Sequence, residues 1–396
     1  MYISNRITNM AASETLAMSQ KSTQLKAEGK DVINLTLGEP DFQTPEFIRE
    51  YAKKSIDEGY TFYPPVNGYA DLRAAICEKL KRDNGADFSP SQIVVSNGAK
   101  HSITNLIFSL VNPGDEVIIP APYWVSYPAI VELAQGVPVV VKAGVEQDFK
   151  VTAQQIEDAI TPKTKMVMFN SPNNPTGTVF SYEEVKSIAD VIAKYPNIIL
   201  VSDEIYELIN FTGTHQSMAQ FPQIKNQLVI VNGVAKGWAM TGWRIGYIAA
   251  PTDIANACTK CQGQMTSACS SIAQRATIAA MQQDPKTSID LKKMVETFKE
   301  RRDVVLSMLS KIKGLKLNNP QGAFYIFMDV SAFLGKKYGD KIINTGAELA
   351  NYILENAYVA MVGGDAFGDD KCIRISYATA TDKLIEACNR LSKILG

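Results

Sequence analysis

The sequence predicts an α/β fold: a large domain with a mostly parallel sheet between helices, followed by a smaller α+β domain. Three observations carry this. From about residue 90 onward, short β-branched runs alternate with helix-length stretches. Gly, Pro, Asn or Asp bound those runs, and the last third of the chain breaks the alternation.

Taken in order, the runs at 93–96, 116–120, 166–170, 198–202, 228–231 and 245–249 are compact, apolar or β-branched, and are expected as strands. Between them, 101–110 has a helical pattern, as does 181–194, where Tyr182-Glu183-Glu184 follows Ser181 in the position of an N-cap. Strands covered by helices on both faces read as unbroken apolar runs, so the sheet is expected to be mostly parallel. Downstream, 296–311 is a charged amphipathic helix, 322–330 and 373–377 look like strands, and 382–395 is a closing helix. The N-terminal segment is expected to return to this smaller unit. The division is then a large domain over 44–286 and a small domain built from 1–43 and 287–396.

Composition narrows the function. Of 396 residues, 46% are apolar and 20% charged, an ordinary globular mix that excludes a disordered, collagenous or coiled-coil chain. Forty Lys+Arg against 41 Asp+Glu leave a formal charge of −1, which offers no field to hold a polyanion, so nucleic acid is not an expected partner. His101 and His215 are the only histidines, too few for a multi-histidine site, and no metal is expected. Six scattered cysteines read as reduced thiols, and Cys258-Thr-Lys-Cys261 has neither a second such pair nor a nearby histidine to complete a zinc site. The longest apolar runs, such as 137–141, fall far short of the ~20 residues needed to cross a bilayer. Met1-Tyr-Ile-Ser-Asn-Arg6 has no hydrophobic region, and the expected location is cytoplasmic.

In sheets of this kind ligands gather beyond the carboxyl ends of strands. Asn97-Gly98-Ala99-Lys100 follows the first run and opens a helix, an arrangement that presents unpaired N–H groups and a positive helix end to an anion. The third run leads into the Pro/Gly-punctuated loop of residues 170–177, and the fourth into Asp203-Glu-Ile-Tyr206. Asn232-Gly-Val-Ala-Lys236 follows the fifth run, with Arg244 eight residues beyond. Neither GxxxxGK[ST] nor a strand-linked GxGxxG occurs, so the ligand is expected to carry a phosphate without being a nucleotide.

At these residues the chain resembles the fold-type I pyridoxal 5'-phosphate aminotransferases, specifically the bacterial aspartate aminotransferase group. The resemblance is carried by Leu37-Gly-Glu-Pro-Asp-Phe42, Pro122-Tyr-Trp-Val-Ser-Tyr-Pro128 and Asn170-Ser-Pro-Asn-Asn-Pro-Thr-Gly177. It continues in Ser202-Asp-Glu-Ile-Tyr206, Ala235-Lys-Gly-Trp-Ala-Met-Thr-Gly-Trp-Arg-Ile-Gly-Tyr247 and Ile373-Arg-Ile-Ser-Tyr-Ala378. The six stretches stand in the family's order and span nearly the whole chain. The fold so implied has a sheet of the seven-stranded type, the PLP-transferase fold.

By this resemblance Lys236 is the catalytic lysine that forms a Schiff base with the cofactor aldehyde and then moves the substrate proton; only a primary amine serves both steps. Asp203 is implied to pair with the pyridine nitrogen and keep the ring an electron sink. Tyr206 and Asn174 are implied partners of its phenolic oxygen. Arg244 and the backbone N–H groups of Gly98, Ala99 and Lys100 are implied to hold the phosphate, because a planar guanidinium suits two phosphate oxygens at once. Trp124 would stack on the ring. Tyr63 resembles a tyrosine that reaches the phosphate of the neighbouring subunit, which implies a homodimer with shared active sites. The chain departs from the pattern at Gly233, where a phosphate-binding serine often stands.

For the substrate, Arg374 is implied to grip the α-carboxylate, with Gly38, Trp124 and Asn174 alongside and Lys100 recognising a side-chain carboxylate. Ser13-Glu14-Thr15 lies where side-chain selectivity is set. The implied activity is transfer of the amino group from L-aspartate to 2-oxoglutarate, giving oxaloacetate and L-glutamate in two half-reactions. Rivals on the same scaffold are an aminotransferase for prephenate or aromatic substrates and a lyase. A non-catalytic module retaining the fold would be expected to lose Lys236, and a dehydrogenase lacks its glycine fingerprint.

Overall fold

The computed structural model of the chain describes residues 2–8, 10 and 14–396. Ser13 of the expected selectivity segment lies outside the described residues, and so do the side chains of Glu14 and Thr15. At the centre stands a seven-stranded sheet. Its strands in chain order are β1 (Ile93–Ser96), β2 (Glu116–Ala121), β3 (Val137–Lys142), β4 (Thr164–Asn170), β5 (Ile199–Asp203), β6 (Leu228–Gly233) and β7 (Gly246–Ala249). The spatial order is β1-β7-β6-β5-β4-β2-β3. Only β7 runs against its neighbours; the pairs from β6 through β3 are parallel.

All six expected runs are strands, and the sheet is mostly parallel. β3 is the addition. Its Val-Pro-Val-Val-Val-Lys run sits at the sheet edge with Val137, Val140 and Lys142 exposed, so Pro138 removes a ladder donor where the strand has only one neighbour. The central strands are buried along almost their whole length. Alternation divides their side chains between two cores: Val167 and Phe169 of β4 enter one cluster, Met166 and Met168 the other. The expected helix after β4 spans Tyr182–Ala193. Ser181 Oγ accepts from the Glu184 N–H at 3.3 Å while Ser181 N–H donates to Glu184 Oε2 at 2.7 Å, a reciprocal cap.

The C-terminal third forms a four-stranded antiparallel sheet. In it Cys372–Ser376 lies between Tyr325–Asp329 and Val362–Gly363, with Lys316–Leu317 at the edge. Helices Ile289–Leu309, Gly346–Ala357 and Thr381–Leu395 pack around it. The N-terminal segment does come back here: Ile33–Asn34 pairs in parallel with Val359–Ala360, and Ser376 N–H donates to Leu35 O at 2.9 Å. No helix among the described residues is long and apolar enough to cross a membrane.

Candidate active site

The carboxyl ends of β1, β4, β5 and β6 face one region, which the antiparallel sheet closes from the other side. Asp203 is the last residue of β5 and is only 4% exposed. Its Oδ2 accepts from the Tyr127 hydroxyl at 2.7 Å and its Oδ1 from the Ile205 N–H at 3.1 Å. Burial pushes this carboxyl up to about 6, against the opposing pull of the Tyr127 hydroxyl, the Ile205 N–H and the Lys236 ammonium. Asn170, at the end of the adjacent β4, braces the turn by donating Nδ2 to Asp203 O at 2.8 Å and accepting the Asn174 N–H at 3.0 Å.

Lys236 lies in the loop after β6, and its Nζ donates to Gly38 O. The same nitrogen stands 5.7 Å from the Tyr206 ring centroid and 5.9 Å from that of Phe324. Burial, reinforced by Arg244 and Arg374 and opposed by Glu39 and Asp203, pulls the ammonium down to about 8. A lysine so placed is neutral in about a tenth of molecules at pH 7, far more than an ordinary lysine. Tyr206 is buried and shares a 2.7 Å hydrogen bond with the Tyr325 hydroxyl. Burial raises both phenols above their usual range.

Helix Ala99–Leu110 begins directly after Gly98, whose φ of +85° is left-handed. A Cβ at Gly98 would strike the Arg244 guanidinium, so the glycine lets that group lie flat on the helix entrance. Arg244 donates to Thr241 O at 2.9 Å and to Asn97 O at 3.2 Å. The Gly98 N–H is already given to Ser96 O at 2.7 Å, so Gly98 shapes the cradle while the amides at the helix start belong to Ala99 and Lys100. Lys100 Nζ rests 5.1 Å from the Trp124 ring centroid, and partial burial, then Arg244, lowers its proton affinity.

Gly233 has a packing reason. It pairs with Gly246 across β6 and β7, and a Cβ there would lie 2.8 Å from Ile245 O and 2.9 Å from Gly246 Cα. Gly246 in turn abuts the backbone of Gly98 and Ala99. A serine at 233 would push apart the strands that carry the anion-binding turn.

From the other side comes Arg374, in the middle strand of the small sheet and 3% exposed. It donates to Asn174 Oδ1 at 3.1 Å and to Thr36 O at 2.6 Å, with the Tyr325 and Phe367 rings at 4.7 and 4.9 Å. Its Nε has no partner among the described residues. Tyr63 is the exception among the expected residues: it is 96% exposed and joins none of these contacts.

Tyr127, Tyr325 and Asn170 are the functional candidates that sequence reasoning missed. Tyr127 had one signal, its place a helical turn beyond Trp124 within the motif of residues 122–128. Behind Asp203, Glu204, Glu207 and His215 bring ligand atoms within 4.8 Å of one another. Their charges are already matched: Glu204 accepts from Ser202, Ser217 and the Met218 N–H and pairs with His215 at 2.9 Å, while Glu207 takes Lys79 and Asn84.

Comparison with known proteins places this geometry. The family model described as aminotransferase class I and II matches residues 30–391. A bifunctional aspartate aminotransferase and glutamate/aspartate-prephenate aminotransferase of Petunia hybrida is 43% identical over 99% of this chain and 82% of its own. An aspartate/prephenate aminotransferase of Nitrosomonas europaea is 43% identical over 100% of both chains. Among solved structures, the aspartate aminotransferase of Rhizobium meliloti matches with a TM-score of 0.96 and 40% identity, covering 100% of this chain and 99% of that one. The Thermus thermophilus aspartate aminotransferase with maleate gives 0.93 and 38%, covering 100% of both. The match runs through both units of the fold, and the chain belongs to the class I and II aminotransferases.

Proposed function

We propose that the chain is an aspartate aminotransferase that uses pyridoxal 5'-phosphate to move the amino group of L-aspartate to 2-oxoglutarate, giving oxaloacetate and L-glutamate. The observation that carries this reading is an imbalance of charge. Lys236, Arg244 and Arg374 give their hydrogen bonds to carbonyl or amide oxygens, Lys100 lies over an aromatic ring, and Arg374 has an Nε unpartnered among the described residues. Lys100 and Arg244 are exposed and Lys236 is half-buried, but Arg374 is fully buried. A buried cation without an anion is costly, so the site is matched to a ligand set that brings negative charge. A phosphate monoester together with a dicarboxylic amino acid supplies it.

These residues fit the cofactor. Arg244 with the amides of Ala99 and Lys100 would hold the phosphate, Asp203 the ring nitrogen, Tyr206 and Asn174 the phenolic oxygen, and Trp124 the ring face. When bound, pyridoxal phosphate supplies an aldehyde that reacts with primary amines and a ring that draws electrons from the amino acid Cα. Arg374 binds the α-carboxylate through a planar guanidinium already oriented by Asn174 and Thr36. Lys100 faces the side-chain carboxylate. Lys236, its amine made available by burial, would take the proton from the amino acid Cα onto Nζ and give it to the cofactor's aldehyde carbon. Gly38 O, which accepts from Lys236, helps aim that nitrogen.

The division at 44–286 belongs to the same reading, as does a homodimer in which Tyr63 reaches the partner's phosphate; the exposed Phe62 and Tyr63 side chains support it. The unpaired state of all six cysteines supports a cytoplasmic location. The names of the Petunia hybrida and Nitrosomonas europaea relatives favour prephenate, itself a dicarboxylate, as a further substrate.

The test is the visible spectrum of the purified protein with its products identified. A yellow protein that bleaches with aspartate, releases oxaloacetate and recovers with 2-oxoglutarate, while Lys236→Ala does none of this, is the expected result. In a parallel panel of amino donors, pyruvate and ammonia released from a donor that carries a leaving group on Cβ, such as serine, with no oxaloacetate from aspartate, would replace the reading with a lyase.

A further inference from the structure

Tyr127 has no place in the chemistry above, yet it touches two groups that do. It belongs to helix Ser126–Leu133, which starts directly after Val125, and its N–H donates to Trp124 O at 3.0 Å. The residue is 3% exposed and packs in the core cluster that contains Ile119, Met168, Val201 and Val231 from the sheet. Its ring meets the Trp124 indole edge-on, centroids 5.4 Å apart at 84°. Its hydroxyl donates to Asp203 Oδ2 at 2.7 Å.

We infer that Tyr127 is a positioning residue for the cofactor: one rigid side chain holds the Asp203 carboxylate and the Trp124 indole at a set separation and angle, so that ring edge and ring face are met together. This rests on the reading of Asp203 as the partner of the pyridine nitrogen. A phenylalanine would fill the same core volume, so packing does not account for the hydroxyl. What the hydroxyl does is satisfy a carboxylate whose other oxygen has a single backbone donor, the Ile205 N–H at 3.1 Å. A carboxylate has about four acceptor sites, so two donors leave room for a third from the ligand.

The bond also favours the ionised carboxylate. Burial works against that form, and Glu204 adds repulsion; Tyr127, the Ile205 N–H and Lys236 oppose both, while Tyr206 faces the same carboxylate as a neutral phenol. Without the Tyr127 hydroxyl a buried carboxylate loses one of two fixed donors, and protonation becomes the easier escape. A protonated Asp203 cannot keep the pyridine nitrogen charged.

The experiment uses the full chain loaded with pyridoxal phosphate and compares Tyr127→Phe, Tyr127→His and Asp203→Asn with the parent. Carbon-13 NMR of the Asp203 carboxyl in Tyr127→Phe is expected to show titration about one to two pH units higher. Retention of pyridoxal phosphate in dialysis should weaken about tenfold, and kcat should fall about tenfold with KM for aspartate nearly unchanged. Tyr127→His, whose ring N–H can also donate, should recover part of each; a merely structural role would not give that split or that recovery. The inference is overturned if Tyr127→Phe keeps the parent's carboxyl titration and kcat while Asp203→Asn loses activity. If Asp203→Asn itself keeps the parent's kcat, the underlying reading of Asp203 fails instead. Should Tyr127→Phe fold poorly, Tyr127→Leu, which also lacks the donor, carries the same comparison, and a parent-like carboxyl titration in a folded Tyr127→Leu also overturns the inference.

Discussion

Arg374 Nη1 donates a 3.1 Å hydrogen bond to Asn174 Oδ1, joining residues 200 positions apart. The arginine comes from the middle strand of the small sheet and the asparagine from the loop after β4 of the large one. Asn174 is itself steadied by Asn170, and the Tyr325 and Phe367 rings flank the guanidinium. Neither partner carries a charge opposite to Arg374, so the bond orients the guanidinium without neutralising it. That leaves its charge available to a carboxylate.

Arg374→Ala is therefore expected to lower kcat/KM for aspartate by about a thousandfold, the usual loss when one member of a buried charged pair is removed. Asn174→Ala should cost about tenfold, because it removes an orienting hydrogen bond to a charged group. Steady-state kinetics with aspartate and 2-oxoglutarate measures both. Equal effects of the two substitutions would contradict the orienting role.

Lys100→Met tests the recognition of the side-chain carboxylate. The preference for aspartate over alanine as amino donor should drop by about ten- to a hundredfold, since the distal carboxylate would then be buried without a cation. An unchanged preference, measured as a ratio of kcat/KM values, would place that recognition elsewhere.

Lys236 links the site to stability. Its folded-state value of about 8 lies below the ordinary 10.5, so the folded chain binds this proton less tightly than the unfolded chain does. The group therefore disfavours folding below about pH 8, and the penalty disappears as the pH rises through 10.5. In the cofactor-free protein, Lys236→Met should be more stable than the parent at about pH 7, by on the order of 3 kcal/mol. The difference should shrink by about pH 10. Denaturant unfolding at the two pH values checks it, and a constant difference would refute it.

Gly233→Ser is expected to destabilise the fold by about 1–3 kcal/mol, because the new Cβ meets the Ile245 carbonyl and the Gly246 backbone. Affinity for pyridoxal phosphate should fall as well, despite the added hydroxyl, since the strands beneath the helix 99–110 entrance must shift. Thermal unfolding and equilibrium dialysis report the two effects separately.

The pair between His215 and Glu204 stabilises the turn after β5 in a pH-dependent way. Burial pulls the imidazole down, but Glu204 and Glu207 outweigh it and the net shift is upward. Such a group stabilises fully below the unfolded value near about 6.5 and loses its contribution as pH rises through the higher folded value. His215→Asn should therefore cost more stability at about pH 5.5 than at about pH 8.5, as read by denaturant unfolding.

Much of this was legible in the residues alone. The six interior runs, the Ser181 cap and the spacing from Asn97 to Arg244 are local patterns, set by hydrogen bonds and apolar burial within a few residues of one another. The strand β3 escaped because Pro138 and its exposed valines give no clean alternation, which is the character of an edge. Tyr127 escaped because an aromatic residue one turn into a helix reads as core, and it is core; only its hydroxyl has a second use.

By itself the sequence determined the alternation of strands and helices, the turns at which an anion can be bound, and the residue types waiting there. Tertiary structure alone decided that Arg374 would meet Asn174, that Tyr127 would reach Asp203, and that Gly233 and Gly246 would be too close for a side chain. The physical reason is range. Local propensity acts along the backbone, whereas an unmatched charge or a forbidden Cβ exists only once remote strands have been brought to one place and water has been excluded between them.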